Sequence, residues 1–134
     1  MDRTLSNKTA IVTGGGSGIG RAIAQRLAKE GANVVICGRT ESSLKETAEV
    51  DAKICYVVGD MTKTETIEKM MTMVKNKFGR LDILVNNAGW CPVQPITEIT
   101  IDDYDKAFSL DVRALVEMTI HALPMIRESH GSII

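Results

Sequence analysis

The residues with the clearest chemistry in this 134-residue chain form one run, Thr13-Gly14-Gly15-Gly16-Ser17-Gly18-Ile19-Gly20. Glycines let an anion approach the backbone without meeting a β-carbon, and amides at a helix start carry free donors and partial positive charge. The run therefore reads as a pyrophosphate cradle, against the plainer reading of a turn that exists only for chain geometry. The general fingerprint G-x-G-x-x-G fails in every register, because positions 19, 21 and 23 are Ile, Arg and Ile. A P-loop fails too, since no Gly-Lys-Ser/Thr is present to hold a triphosphate and its magnesium.

Further groups could serve a ligand. Asn86-Asn87-Ala88-Gly89 suits a tight turn and supplies an amide that donates and accepts, so Asn87 either touches a ligand or braces a strand. In Gly59-Asp60-Met61 a carboxylate acceptor stands beside a flexible thioether, although Asp60 or Thr62 could equally cap a following helix. Arg39 presents a guanidinium fork suited to phosphate; the rivals are stacking on a ring or facing water. Asp111 falls on an apolar helical stripe, which turns a carboxylate toward the interior. Cys37, Cys55 and Cys91 are odd in number and lack C-x-x-C spacing, and His121 and His130 have no acid or cysteine at ligand spacing, so neither disulfides nor a metal site is indicated.

Such groups need a scaffold, and the chain alternates short Val- and Ile-rich runs with longer helical patterns, as a parallel sheet wrapped by helices does. The runs are Thr9 to Val12, Val34 to Cys37, Ile54 to Val58, Ile83 to Val85 and Ser132 to Ile134, which predicts five strands. Ile19, Ile23 and Leu27 with Ala22, Ala24 and Ala28 predict a first helix ended by Gly31. Ile67, Met70, Met71, Val74 and Phe78 form the apolar face of another, and Glu41 to Val50 is a thinner pattern between them. Tyr104, Phe108, Leu115, Met118 and Ala122 predict the last helix, with Asp111 on the same stripe, Asp102 and Asp103 at its electropositive start, and Pro124 near its end.

The spacing Thr-Gly-x-x-x-Gly-x-Gly, met by Thr13, Gly14, Gly18 and Gly20, resembles the short-chain dehydrogenase/reductase family, as do Asn86-Asn87-Ala88-Gly89 after the fourth run and Gly59-Asp60 after the third. The resemblance implies an α/β, Rossmann-like doubly wound parallel sheet with three to four helices and a nicotinamide dinucleotide. It implies that Gly14, Ser17, Gly18, Ile19 and Gly20 cradle the pyrophosphate, and that Asn87, Ala88 and Gly89 lie beside the adenosine ribose. It further implies that Asp60 accepts from the adenine amino group and that Met61 packs on the ring. Sites selective for NAD usually carry an acid at the end of the second strand. No acid occurs between Val34 and Thr40, and Arg39 suits a 2′-phosphate, so NADP(H) is favoured over NAD(H). Ser17 departs from the second basic residue that NADP(H)-preferring members often place before the middle glycine.

The same resemblance implies hydride transfer to or from a small carbonyl or alcohol substrate, using a Tyr, a Lys, a Ser and an Asn. Tyr-x-x-x-Lys is missing: four residues beyond Tyr56 stands Asp60, and four beyond Tyr104 stands Phe108. Ser132 comes too early to be the family's Ser, and the family's Asn position holds Asp111, which keeps an acceptor but loses a donor. Asp111 is then either a catalytic-set position awaiting a Lys partner or a buried carboxylate satisfied by backbone or water. The expectation is one dinucleotide-binding domain over residues 1–134, incomplete at its C-terminus within the fifth strand and not catalytically competent alone. The alternatives are a non-catalytic NAD(P)-binding or regulatory module and a structural fragment that binds nothing. A partly bare sheet and an unpaired edge predict aggregation or a compensating partner, and the family implies a homo-oligomer, commonly a tetramer, using the helix around 102–122.

Sixteen basic residues interspersed with seventeen acidic ones, with 44% of residues hydrophobic, fit an ordinary globular protein without the basic stripe of a nucleic-acid binder. No apolar run approaches a membrane span, and no apolar stretch follows the charges of Met1 to Lys8, so a cytoplasmic location is expected.

Overall fold

The computed structural model describes residues 4–134, so Met1 to Arg3 of the N-terminal segment lie outside the described residues. Five strands form one parallel sheet: β1 (Thr9–Thr13), β2 (Asn33–Gly38), β3 (Ile54–Val58), β4 (Ile83–Val85) and β5 (Ser132–Ile133), in the spatial order β3-β2-β1-β4-β5. The crossovers are α1 (Gly18–Lys29), α2 (Glu41–Ala48), α3 (Thr64–Lys77) and a last helical unit made of α4 (Ile101–Phe108), a π-turn (Ser109–Arg113) and α5 (Ala114–Ser129). The doubly wound fold is thus present, with four helical units, the last divided in two.

Strand periodicity assigns the two faces. Ile11, Val35, Cys37 and Leu84 point toward α3 and α5, where Ile67, Met70, Val74, Met118, Ala122 and Ile126 meet them. Ala10, Val12, Val34, Ile36 and Val85 point the other way, against Ala24 and Ala28 of α1 and Leu44 of α2. With both faces covered, β1 is buried at every residue, which is why its run is continuously apolar apart from its threonines. Asp82, 5% exposed, fastens the two central strands at their starts. It accepts from the Thr9 amide at 2.9 Å and from Arg80 at 2.6 and 2.8 Å, with Lys8 at 3.6 Å.

Two expected stripes are corrected. On α1 the buried positions are Gly20, Ala24 and Ala28, whereas Ile19 is 74% exposed, because α1 lies so close to the sheet that only small side chains fit beneath it. In the last unit the buried seam is Ala114, Met118, Ala122 and Ile126, while Tyr104, Phe108 and Leu115 are exposed. The π-turn is the cause. It inserts one residue into the helical count, so Tyr104 and Phe108 line up with exposed Val112, Val116 and Ile120 rather than with Met118 and Ala122. The two rings stack on each other at 4.5 Å instead of entering the core. Asp103 starts α4 as expected, in a capping box with Thr100. α5 continues past Pro124 to Ser129, where His130 closes it in a left-handed conformation (φ 54°).

Among the described residues no helix is long and apolar enough to cross a membrane.

Candidate functional site

In a parallel sheet of order 3-2-1-4-5 the chain leaves β1 and β4 toward opposite faces, opening a crevice at their C-terminal ends. Both singled-out loops flank it, Thr13 to Gly20 after β1 and Asn86 to Gly89 after β4. A cavity of about 620 Å³ sits there, within the usual range of about 300–1,000 Å³ for small-molecule sites. Gly14, Ser17, Gly18, Ile19, Arg39, Asp60, Met61, Asn87, Ala88 and Gly89 all line it, although they come from four separate loops. Gly20 and Asp111 do not reach the wall.

Gly20 acts from behind. A β-carbon there would lie 2.2 Å from the Gly14 carbonyl oxygen and 2.5 Å from Asn87 Nδ2, so the loop closes only over a glycine. The Asn87 amide donates to the carbonyls of Thr13 (3.1 Å) and Gly14 (3.3 Å), which makes it a brace between the two loops. Thr13 completes that brace: its hydroxyl accepts from the Asn87 and Ala88 amides at 3.0 and 2.9 Å and donates to the Val85 carbonyl. Ser17, at the N-cap of α1, spends no side-chain hydrogen bond on the helix.

At the other end of the cavity Asp60 binds its own turn. Its Oδ1 accepts from the Thr62 amide (2.9 Å) and hydroxyl (2.8 Å), while Oδ2 has no hydrogen bond among the described residues. The Thr62 amide lowers the Asp60 pKa first; burial opposes it, and the Thr62 hydroxyl, Arg39 and Lys63 add to the lowering. Arg39 is exposed and makes no ion pair among the described residues, so its charge is available to the cavity it lines. Met61 is 6% exposed, packed into the core cluster beneath the cavity it lines. Cys37 lies beneath Gly14, and burial pushes its thiol up to about 11 against a smaller pull from the Gly14 backbone, which keeps it a neutral, inert floor.

Asp111 sits in the π-turn, half-buried, and its Oδ1 accepts from the Trp90 amide at 2.7 Å. A backbone amide thus engages one oxygen of this carboxylate, and through Trp90 it holds the cavity wall. The Lys106 ammonium lies 4.2 Å above the Trp90 ring on that wall. The pairing itself is not legible in the sequence, because a cation–π contact between residues sixteen apart has no local pattern. Cys91 and Val93 are exposed on the loop that follows, as a loop tip.

The residues present fit a dinucleotide phosphate group: amides at the start of α1, glycines whose β-carbons would fill the loop, an unspent hydroxyl at Ser17 and a cation at Arg39.

Comparison with known proteins agrees. The family description short chain dehydrogenase matches residues 8–134. The chain belongs to the short-chain dehydrogenase family. An uncharacterized oxidoreductase of Staphylococcus aureus strain MRSA252 is 38% identical over 133 residues, covering 97% of this chain and 58% of that protein. A short-chain dehydrogenase/reductase of unknown function from Caenorhabditis elegans, solved with cofactor, superposes with a TM-score of 0.89 at 36% identity, over 96% of this chain and 52% of that one. A glucose dehydrogenase of the same organism in its apo form gives 0.87 at 35%, over 97% and 54%. The chain thus spans little more than half the length of these relatives.

Proposed function

We propose that this chain is the cofactor-binding part of a short-chain dehydrogenase/reductase that transfers a hydride between NADP(H) and a carbonyl or alcohol substrate. One observation carries the reading: a single cavity over the β1/β4 crevice joins the amides of the glycine loop to an Arg39 that makes no ion pair among the described residues, with no carboxylate at the end of β2 to take a ribose diol. When bound, the dinucleotide supplies the hydride donor or acceptor. The chain's own residues bind and orient it. In this reading the α1 amides and Ser17 hold the pyrophosphate, Ala88 and Gly89 leave room for the ribose, and Asp60 Oδ2 and Met61 receive the adenine. Arg39 makes charge-assisted hydrogen bonds to the 2′-phosphate. NAD(H) is the alternative cofactor.

Without Tyr-x-x-x-Lys these 134 residues lack an acid/base for the substrate oxygen, and the chemistry falls to residues outside the chain. A second reading, a non-catalytic NAD(P)-binding or regulatory module, is favoured by Asp111 at the family's Asn position, where the side chain has no donor to offer. The exposed Val112, Val116, Ile120 and Leu123 on the last helix support a homo-oligomer.

Fluorescence titration with NADPH and NADH tests the cofactor assignment. Losing one charged phosphate partner is worth about 1.5–3 kcal/mol, or roughly 10- to 150-fold in Kd. Arg39→Glu should weaken NADPH by at least that and leave NADH within a few-fold. Equal NADPH affinity in the variant refutes the assignment.

A further inference from the structure

Behind the glycine loop, and off the cavity wall, Arg21 of α1 and Thr47 of α2 form a hydrogen-bonded clamp. Thr47 is fully buried; its hydroxyl accepts from Arg21 Nε at 3.1 Å and donates to the Gly15 carbonyl at 2.9 Å, with the Ser43 carbonyl at 3.2 Å. Arg21 Nη2 donates to the Gly16 carbonyl at 2.6 Å, to the Ser43 carbonyl at 3.3 Å and to Glu46 at 3.0 Å. The clamp therefore grips two successive carbonyls of the glycine loop with one hand and the first turns of α2 with the other. Gly16 and Ser17 line the cavity, as do Arg39, Thr40 and Ser43, and the two groups meet where a β-carbon on Gly16 would stand 3.4 Å from Ser43 Cβ.

We propose that Arg21 and Thr47 are positioning residues that set the span between the pyrophosphate cradle and the 2′-phosphate end of the cofactor site, a role that rests on the cofactor reading above. Neither residue touches the ligand. A dinucleotide carries both anionic groups on one tether, so its affinity exceeds that of either group alone only when the two subsites stand at the distance the tether spans. A clamp that holds α2 to the glycine loop fixes that distance. An error in the span penalises the tethered ligand and spares the separate pieces.

Three probes separate these effects by calorimetric titration: inorganic pyrophosphate for the cradle, adenosine 2′-phosphate for the Arg39 end, and NADPH for both together. Thr47→Val keeps the shape and removes the hydroxyl. It should weaken NADPH about tenfold or more while each fragment stays within about twofold, and Thr47→Ser should restore NADPH binding. Arg21→Gln, at a half-exposed position, provides a second lesion of the same clamp and should show the same pattern should Thr47→Val not fold. NADPH affinity unchanged in the folded variants overturns the proposal, as does a loss of NADPH matched by an equal loss of one fragment, or failure of serine to rescue. A wild-type chain that binds NADPH no more tightly than pyrophosphate overturns the cofactor reading itself, a distinct outcome.

Discussion

Gly20→Ala tests whether the glycine loop works as a shaped surface or only as a flexible turn. The added β-carbon would stand 2.2 Å from the Gly14 oxygen and 2.5 Å from Asn87 Nδ2, and the Gly14 backbone must retreat about 0.8 Å to reach even a 3.0 Å contact. An amide that held a phosphate oxygen at about 2.9 Å then stands near 3.7 Å, outside hydrogen-bonding range. Two such charge-assisted bonds, at about 1.5–2 kcal/mol each, amount to about 3–4 kcal/mol, or a few hundred-fold in Kd. Overpacking also costs the fold about 1–3 kcal/mol. Gly18→Ala is the informative contrast, because its β-carbon would meet nothing within 4 Å and the residue sits at φ +54°. Its cost is left-handed strain of about 1–2 kcal/mol, which Asn relieves in part. NADPH fluorescence titration with a melting curve for each variant separates the cases: Gly20→Ala loses binding and stability, Gly18→Ala loses less of both, and Gly18→Asn recovers some of that loss. Gly20→Ala binding NADPH within threefold of wild type would refute the argument.

Other perturbations follow from the same geometry. Burial alone would raise the Asp82 pKa, but the Arg80 guanidinium, the Thr9 amide and Lys8 outweigh it and hold the pKa below the ordinary carboxylate value. The ionised carboxylate therefore adds stability that is fully present above the unfolded value of about 3.9 and is lost as pH falls through the lower folded value. Asp82→Asn should cost about 1–3 kcal/mol at pH 7, with wild-type and variant denaturation midpoints converging as pH falls below the unfolded carboxylate value; a gap that stays constant with pH contradicts this account. Asp111→Ala should free the Trp90 amide and loosen the cavity wall, seen as faster exchange of that amide and about threefold to tenfold weaker NADPH, whereas Asp111→Asn keeps an acceptor oxygen and should stay near wild type.

The parts of this fold visible in the sequence are those that depend on neighbours along the chain. Thr9 to Val12 and Val34 to Cys37 read as strands because burial on both faces leaves a continuous apolar run. Gly14 to Gly20 and Asn86 to Gly89 read as ligand loops because they end such runs. What escaped detection depends on how elements dock. Ile19 and Ala24 are both apolar on α1, and only the closeness of that helix to the sheet makes alanine the core residue and leaves isoleucine at the cavity mouth. Tyr104 and Phe108 share helical spacing with Met118, and a π-turn without any pattern of its own turns the two aromatics outward.

Docking also explains why the glycine loop is more than its glycines. A run of glycines has many conformations, and the entropy of choosing one is among the largest any residue type loses. Asn87 holds the carbonyls of Thr13 and Gly14, while Thr47 and Arg21 hold those of Gly15 and Gly16, so four consecutive acceptors are tied to the loop after β4, to α2 and to α1. The Gly15 amide is itself committed to the Cys37 carbonyl at 3.2 Å, so the donors left to face a ligand are the other amides of the loop. The loop is therefore held in place by Asn87, Thr47 and Arg21, all of which lie outside it.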